Sequence, residues 1–397
     1  ESGRWQPYYS GYGMSLPLIN HYRQLLLDDT PMIDVRAPAE FVTGALPSST
    51  NLPLMTDDER HQVGIRYKNN GQQAAIELGH ELVNGEIKQQ RVDAWLAFMA
   101  ANPNAVLYCA RGGLRSQLTQ EWLAEAGIEC PKVEGGYKSL RGFLFQYLMD
   151  YCANNHFTIL SGMTGTGKTD IIQQLATGVD LEGAANHKGS SFGRPLNSQP
   201  AQINFENRIA LDVLKLEDQL PETTIILEDE SRNIGARHLP HYFADRMVQS
   251  QFVVIEMDFE ERLERLWQEY VVERYLKTMA CFGATGEQEF ASYLRESLLR
   301  VQKRLGGLRT KELLASMDSA IAVQHEDSFA SHRHWLAALT REYYDPMYSY
   351  QLDKKKDLVV FRGEREEVIG WLKDLNQPTI YTSPEHPQIP HSNDQTP

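Results

Sequence analysis

Cysteine is scarce in this 397-residue chain. There are four, Cys109, Cys130, Cys152 and Cys281, with no C-x-x-C pair and no zinc-finger spacing. That excludes a disulfide scaffold and a cysteine-based structural zinc site, and it suits a reducing compartment in which a reactive thiol survives. A histidine metal site is equally unsupported, because Pro240 interrupts any helix face between His238 and His241. No apolar run approaches the ~20 residues of a membrane span, so no membrane association and a cytoplasmic location are expected. Positive charge is short as well: 39 Lys and Arg against 53 Asp and Glu, a net charge of −14. A broad basic face is therefore excluded, and any nucleic-acid contact must be a local patch. The length exceeds what one core usually holds, which predicts two domains.

The stretch around Cys109 is what stands out. Ala105–Tyr108 reads as a buried strand and Leu118–Ala126 as an amphipathic helix. Between them Cys109-Ala-Arg111-Gly112-Gly113-Leu-Arg115-Ser116 packs two glycines and two arginines close behind the thiol. Adjacent glycines let several N–H groups converge on one point, and a helix start near Arg115 adds its positive end. A thiolate is expected to be stabilised there, with Cys109, Arg111 and Arg115 as catalytic residues and Gly112, Gly113 and Ser116 as the anion loop.

Residues 1–13 lack periodicity and an apolar core, and read as an expression remnant rather than a signal peptide. A first domain is expected over 14–151, a second over 152–375 with a helical, partly basic C-terminal segment, and a disordered tail over 376–397. In the first, Pro31–Arg36 reads as a strand, Ala39–Val42 as a short helix, Gly44–Pro53 as a turn into a further strand, and Glu86–Ala101 as a helix. Alternating strands and helices predict a parallel α/β sheet with the cysteine loop at a strand's carboxyl end.

Asp34-Val-Arg36-x-Pro38-x-Glu40-Phe41 with Gly44, the cysteine loop, and Val133-Glu-Gly135-Gly136-Tyr137 occur in that order. Together they resemble a rhodanese domain. The interval from Cys109 to Arg115 is one residue longer than in thiosulfate-type rhodaneses and equals that of cysteine phosphatases. A wider loop suits a larger tetrahedral anion, such as a phosphate derivative. Asp34 and Arg36 are expected to brace the loop.

The second domain opens on Phe157–Leu160, a short apolar strand, followed by Gly162-Met-Thr164-Gly165-Thr166-Gly167-Lys168-Thr169 and an apolar-periodic helix. This is a P-loop in its strand–loop–helix setting. Its N–H groups would cradle a diphosphate, Lys168 would reach the terminal oxygens, and Thr169 with Glu228 and Asp229 would hold Mg²⁺. Strands are expected at Val179–Glu182, Thr224–Leu227, Phe252–Met257 and Leu358–Phe361, with a helix over Glu260–Tyr270. No base-recognition motif accompanies the P-loop. The loop from Asn186 to Gly193 offers His187, Ser190 and Ser191 as a substrate pocket, or it is an ordinary surface turn. Arg300, Lys303 and Arg304 at i, i+3, i+4, with Arg309 beyond, are the candidate RNA contacts, or a solvated helix face. The tyrosines from Tyr343 to Tyr350 either stack on a splayed base or pack a helix.

Rhodanese-like unit first, P-loop second, with Ala185–Gly193 and Glu228-Asp-Glu-Ser-Arg-Asn-Ile-Gly235, resembles the tRNA 2-selenouridine synthase family over residues 15–375. The resemblance implies replacement of sulfur by selenium at wobble 2-thiouridine through an S-geranyl-2-thiouridine intermediate. Selenophosphate and geranyl diphosphate are its implied cosubstrates, and a selenophosphate-supplying enzyme is an implied partner. On that reading the P-loop holds geranyl diphosphate, Cys109 carries selenium, and Arg111 and Arg115 hold the donor. Two alternatives stay open: a sulfurtransferase or cysteine phosphatase fused to an NTPase without RNA, and a nucleotide-dependent interaction module. Turnover undiminished without tRNA marks the first; loss of the loop arginines, both present here, would mark the second.

Overall fold

The computed structural model describes residues 16–376; the expected expression remnant and nearly all of the expected tail lie outside them. Strands β1 (Leu18–Ile19), β2 (Met32–Asp34), β3 (Ser49–Asn51), β4 (Val106–Tyr108) and β5 (Lys132–Val133) form one parallel sheet in the order β1-β5-β4-β2-β3. β2 and β4 are wholly buried, as expected of central strands covered on both faces. One face buries Ile33, Leu107 and Cys130 under Trp95 and Trp122 of the helices Gly85–Ala101 and Leu114–Glu125. Helix Pro38–Thr43 matches its expected place, and β3 lies inside the stretch read as a turn.

Helix Asp57–Leu82 has no counterpart in the sequence reading. It is broken at Gly71, whose φ of 84° and ψ of −176° are not helical. Val63 and Gly79, symmetric about Gly71, face each other, so the two halves double back as a hairpin.

Strands β6 (Phe157–Gly162), β7 (Gly178–Val179), β8 (Ile225–Glu228), β11 (Gln251–Ile255) and β12 (Val359–Gly363) form a second parallel sheet, ordered β12-β11-β6-β8-β7. A small antiparallel pair, β9 (Asn233–Ile234) and β10 (Arg237–His238), stands apart. The expected strand Val179–Glu182 is corrected: β7 stops at Val179, because Asp180 accepts from the Gly183 amide at 2.6 Å and starts a helix, Leu181–Ala185. The expected helix from Glu260 runs over Phe259–Trp267 and passes into a π-helical turn, Gln268–Glu273. The helical segment is an insertion between β11 and β12, with its own core around Phe290, Leu294, Trp335 and Leu336.

The two sheets share a core. Helix Gly136–Asn154 leaves the first sheet at β5 and leads into β6, and helix Gln202–Gln219 packs beside it. Tyr108, Tyr137 and Leu144 belong to the same buried cluster as Phe157, Ile209 and Leu214. Polar bonds fix the register. Arg141 meets Glu206 at 2.8 Å, and Tyr147 donates to Glu217 at 2.8 Å. Asn207 donates to the Ala45 carbonyl at 3.0 Å and reaches the Tyr137 hydroxyl at 3.3 Å.

Candidate active site and nucleic-acid cleft

The cysteine loop follows β4, and its geometry is set by the turn after β5. Cys109 and Ala110 carbonyls accept from the amides of Tyr137 and Lys138 at 2.9 and 3.0 Å. Gly136 has φ +60°, and a Cβ there would stand 2.2 Å from the Cys109 carbonyl and 2.6 Å from the Gly112 nitrogen. Only glycine lets these two segments touch. Cys109 is buried, with Sγ 3.2 Å from the Ser116 hydroxyl. Ser116 donates to the Gly113 carbonyl at 2.9 Å, and turning that one proton toward Sγ would stabilise a thiolate.

The two arginines part company. Arg115 forms a bidentate pair with Glu40, at 2.6 and 3.1 Å, and the Cys109 sulfur also lies near enough to favour its charge. Burial alone would raise the proton affinity of Glu40, but Arg115 and Arg60 hold it below the usual carboxylate range. Arg111 is exposed and makes no side-chain hydrogen bond or ion pair among the described residues. A cation unnoticed in the sequence, Lys132 on β5, joins this site. Burial lowers its proton affinity and the nearby Cys109 raises it. Asp34 and Arg36 pair at 2.6 Å, and Arg36 donates to the Gly44 carbonyl and lies 3.9 Å from the ring centre of Tyr137, whose amide bonds the Cys109 carbonyl.

At the P-loop, Lys168 donates to the carbonyls of Gly162 and Met163 at 3.1 and 3.4 Å. Arg262, bonded to the Thr164 carbonyl at 3.2 Å and bidentate to Asp345 at 2.8 Å, ties the loop to the helical insertion. The expected Mg²⁺ set is only partly assembled. The Thr169 hydroxyl donates to Glu182 at 2.8 Å, a carboxylate that the sequence alone places on a strand. Asp229 accepts from Ser161 at 2.7 Å and from Lys355 at 2.5 Å. Glu228 is buried and accepts from the Leu181 amide at 3.0 Å. Burial, with Asp180 and Glu182 nearby, pushes its proton affinity well up. Glu230 is raised in the same sense by burial and Glu182, with Lys168 opposing. Among the described residues no cluster of three or more His, Cys, Asp or Glu side chains is arranged to hold a metal.

His187, Ser190 and Ser191 line a cleft of about 990 Å³, and so do Arg300, Lys303 and Arg304. The substrate pocket and the basic patch are thus one place. Arg194 and Arg274, which the sequence pattern does not mark, also line it; Arg194 pairs with Glu296 at 2.7 Å, and Glu289 is the one acid in the lining. Arg300 donates to the Ser191 carbonyl at 3.3 Å, and Arg274 lies 3.9 Å from the Tyr293 ring centre. The continuous helix face expected for the basic residues is corrected. Helix Gly286–Leu299 ends at Arg300, and Lys303 and Arg304 sit on the separate turn Gln302–Leu305. Arg309 leaves the set, held by Glu312 and Glu342 at 2.7 and 2.6 Å. The tyrosines divide. Tyr344 is buried with its hydroxyl 2.6 Å from that of Ser191, Tyr343 lines the cleft, and Tyr350 is exposed.

Gln199 lines the cleft and donates to the carbonyls of Ala185 and Ile234 at 2.8 and 3.1 Å. Three residues on begins helix Gln202–Gln219, whose Asn204 and Asn207 hold Ala45 beside Tyr137. The same short segment therefore reaches both the cleft and the brace of the cysteine loop.

A family profile described as the tRNA 2-selenouridine synthase AAA domain matches residues 155–378, and a rhodanese-like domain profile matches residues 20–142. The tRNA 2-selenouridine synthase of Shewanella frigidimarina is 48% identical over 355 residues, covering 89% of this chain and 97% of that one. The chain belongs to the tRNA 2-selenouridine synthase family. Its counterpart in Pseudomonas fluorescens is 48% identical over 361 residues, with 89% and 97% covered. The N-terminal domain of an ATP/GTP binding protein from Clostridium difficile 630 aligns over 32% of this chain and 98% of its own, at 34% identity. Its TM-score of 0.29 is too low to bear on the fold. As a member of this family the chain is a tRNA-modifying transferase that handles selenium, built as a rhodanese-like domain followed by a P-loop α/β domain. Among the described residues no helix is long and apolar enough to cross a membrane.

Proposed function

We propose that the chain, in the cytoplasm, exchanges sulfur for selenium at the wobble 2-thiouridine of tRNA in two steps, one in each half. In the first, the P-loop amides and Lys168 hold the diphosphate of geranyl diphosphate. The thiocarbonyl sulfur bonds to the allylic carbon and pyrophosphate leaves. Lys168 must give up its own loop carbonyls to meet the phosphates. Thr169 and Glu182 are the residues that fit Mg²⁺, which would neutralise charge on the departing diphosphate.

In the second step the C2–Se bond forms as the C2–S bond breaks. Hydrogen selenophosphate and water enter, geranylthiol and phosphate leave, and no oxidant or reductant is consumed. Cys109 is the thiol at which selenium is handed to C2. Arg111, Lys132 and the N-terminus of helix Leu114–Glu125 favour the anionic donor. A selenophosphate-supplying enzyme is the expected partner.

The observation that carries this reading is the cationic cleft, whose Gln199 leads within three residues into the helix that braces the cysteine loop. The test is nucleoside analysis of intact tRNA after incubation with geranyl diphosphate and selenophosphate. Selenouridine that forms only with both supports the reading. Selenouridine formed without any prenyl donor removes the geranyl step.

A further inference from the structure

Between the two halves of the Asp57–Leu82 hairpin and helix Leu114–Glu125 lies a cavity of about 570 Å³. Ala75, Ile76, Leu118 and Trp122 contribute to an apolar wall. At its mouth stand Leu114 and Arg115, directly after Gly113 of the cysteine loop. Leu114 and Ile65, both lining it, are 40% and 49% exposed.

Folded chains ordinarily close apolar space of this size. Here glycines keep it open. A Cβ at Gly64 would meet nothing within 4 Å, and one at Gly79 only Val63 at 3.9 Å. The volume falls within the range of about 300–1,000 Å³ usual for small-ligand sites. The large cleft in the P-loop half is walled by arginines, serines and a histidine instead.

A site with an anion nest at one edge and an oily chamber next to it fits a ligand that is polar where it reacts and apolar beyond. We infer that this chamber takes the geranyl chain of the S-geranylated base, so that C2 faces Cys109 and geranylthiol departs into the chamber. This inference rests on the geranyl intermediate proposed above. Seating the chain there also keeps water from C2 while selenium arrives.

The experiment compares two tRNAs in the selenation step with selenophosphate, one carrying S-geranyl-2-thiouridine and one S-methyl-2-thiouridine. A buried methylene is worth about fourfold in binding. The wild-type protein should therefore prefer the geranyl tRNA by about a hundredfold or more in kcat/KM. Gly64→Phe, whose Cβ would meet nothing within 4 Å, should narrow the chamber and cut that preference at least about tenfold through the KM for the geranyl tRNA. Ala75→Phe, deeper in the wall, should do the same. Taking the ratio of the two substrates within each variant cancels any loss of folded protein. A wild-type protein indifferent to chain length, or a ratio that moves in neither variant, overturns the chamber and leaves the exchange reading standing. Failure of the wild-type protein to make selenouridine from either tRNA overturns the exchange reading as well.

Discussion

At Cys109 the decisive property is company rather than exposure. Cys130 and Cys152 are also buried, and burial pushes both thiols up to about 12, so they stay protonated and inert. Cys109 alone lies among a serine hydroxyl, a helix N-terminus and the charges of Arg115 and Lys132. Cys109→Ala should abolish selenouridine formation and leave S-geranyl tRNA accumulating, whereas Cys130→Ala should change stability only. Mass spectrometry of digested tRNA reads both; selenouridine made by Cys109→Ala would unseat the assignment. Lys168 is the matching residue in the other half. Lys168→Ala should lose geranylation first, and calorimetry should find geranyl diphosphate or pyrophosphate bound at least as tightly as ATP. Brisk ATP hydrolysis without prenyl diphosphate affinity would point instead to a nucleotide-driven step. His332 gives a pH signature. Its ring accepts from Trp335 at 3.0 Å and reaches Gln324 at 3.3 Å, and burial lowers its pKa from 6.5 to about 4, with Asp327 opposing. The unfolded state therefore binds the proton more readily. The neutral ring's contribution is full above about pH 6.5 and is lost as pH falls toward about 4, on the order of 2–3 kcal/mol. Denaturant titrations across that window should show the decline, and His332→Gln should flatten it.

Among the elements, the cationic cleft gives the clearest prediction. Changing Arg300, Lys303 and Arg304 together to Ala should weaken tRNA binding and lower the salt slope by about one for each phosphate left without its cation. Parallel slopes with unchanged affinity would show that RNA docks elsewhere. The three residues were legible as a patch because i, i+3, i+4 spacing survives the break at Arg300 as a shared wall. Arg194 and Arg274 were not, since they come from a loop and from a helix beyond the π-turn, and only the fold brings them together. The motif glycines were legible too, although not their purpose, which is contact between Gly136 and the Cys109 carbonyl. The Asp57–Leu82 helix could have been found. Thr56 and Glu59 form a capping box, a signal written in four consecutive residues. Glu182 was misplaced because a short apolar run cannot distinguish strand from helix, and the Asp180 cap decided it.

For the molecule as a whole, the expected division near residue 151 falls inside a helix whose apolar face is buried between both sheets. Leu140, Leu144, Leu148 and Tyr151 all lie in the shared core. Two motif-bearing units are present, but they do not own separate interiors. Calorimetry should therefore record one cooperative transition for the full chain rather than two. Asn207→Ala, which removes both the Ala45 and Tyr137 bonds, should lower its midpoint by several degrees without splitting it. Two resolved transitions in the wild-type protein would show that the halves are energetically independent.

The direction of helix Gly136–Asn154 also bears on how the chain is made. When its last turn leaves the ribosome, the partner that covers it, Gln202–Gln219, is still unsynthesised. Residues 155–219 must follow, which at about 5–20 residues per second takes roughly 3–13 s. Through that interval the cysteine half carries an uncovered greasy flank, an invitation to a holding chaperone. Nascent chains stalled with Asn154 just clear of the ribosome should be cut readily by protease and captured by a holding chaperone. Chains stalled well beyond Gln219 should resist both. Equal resistance at the two lengths would mean that the first half closes on itself before its neighbour arrives.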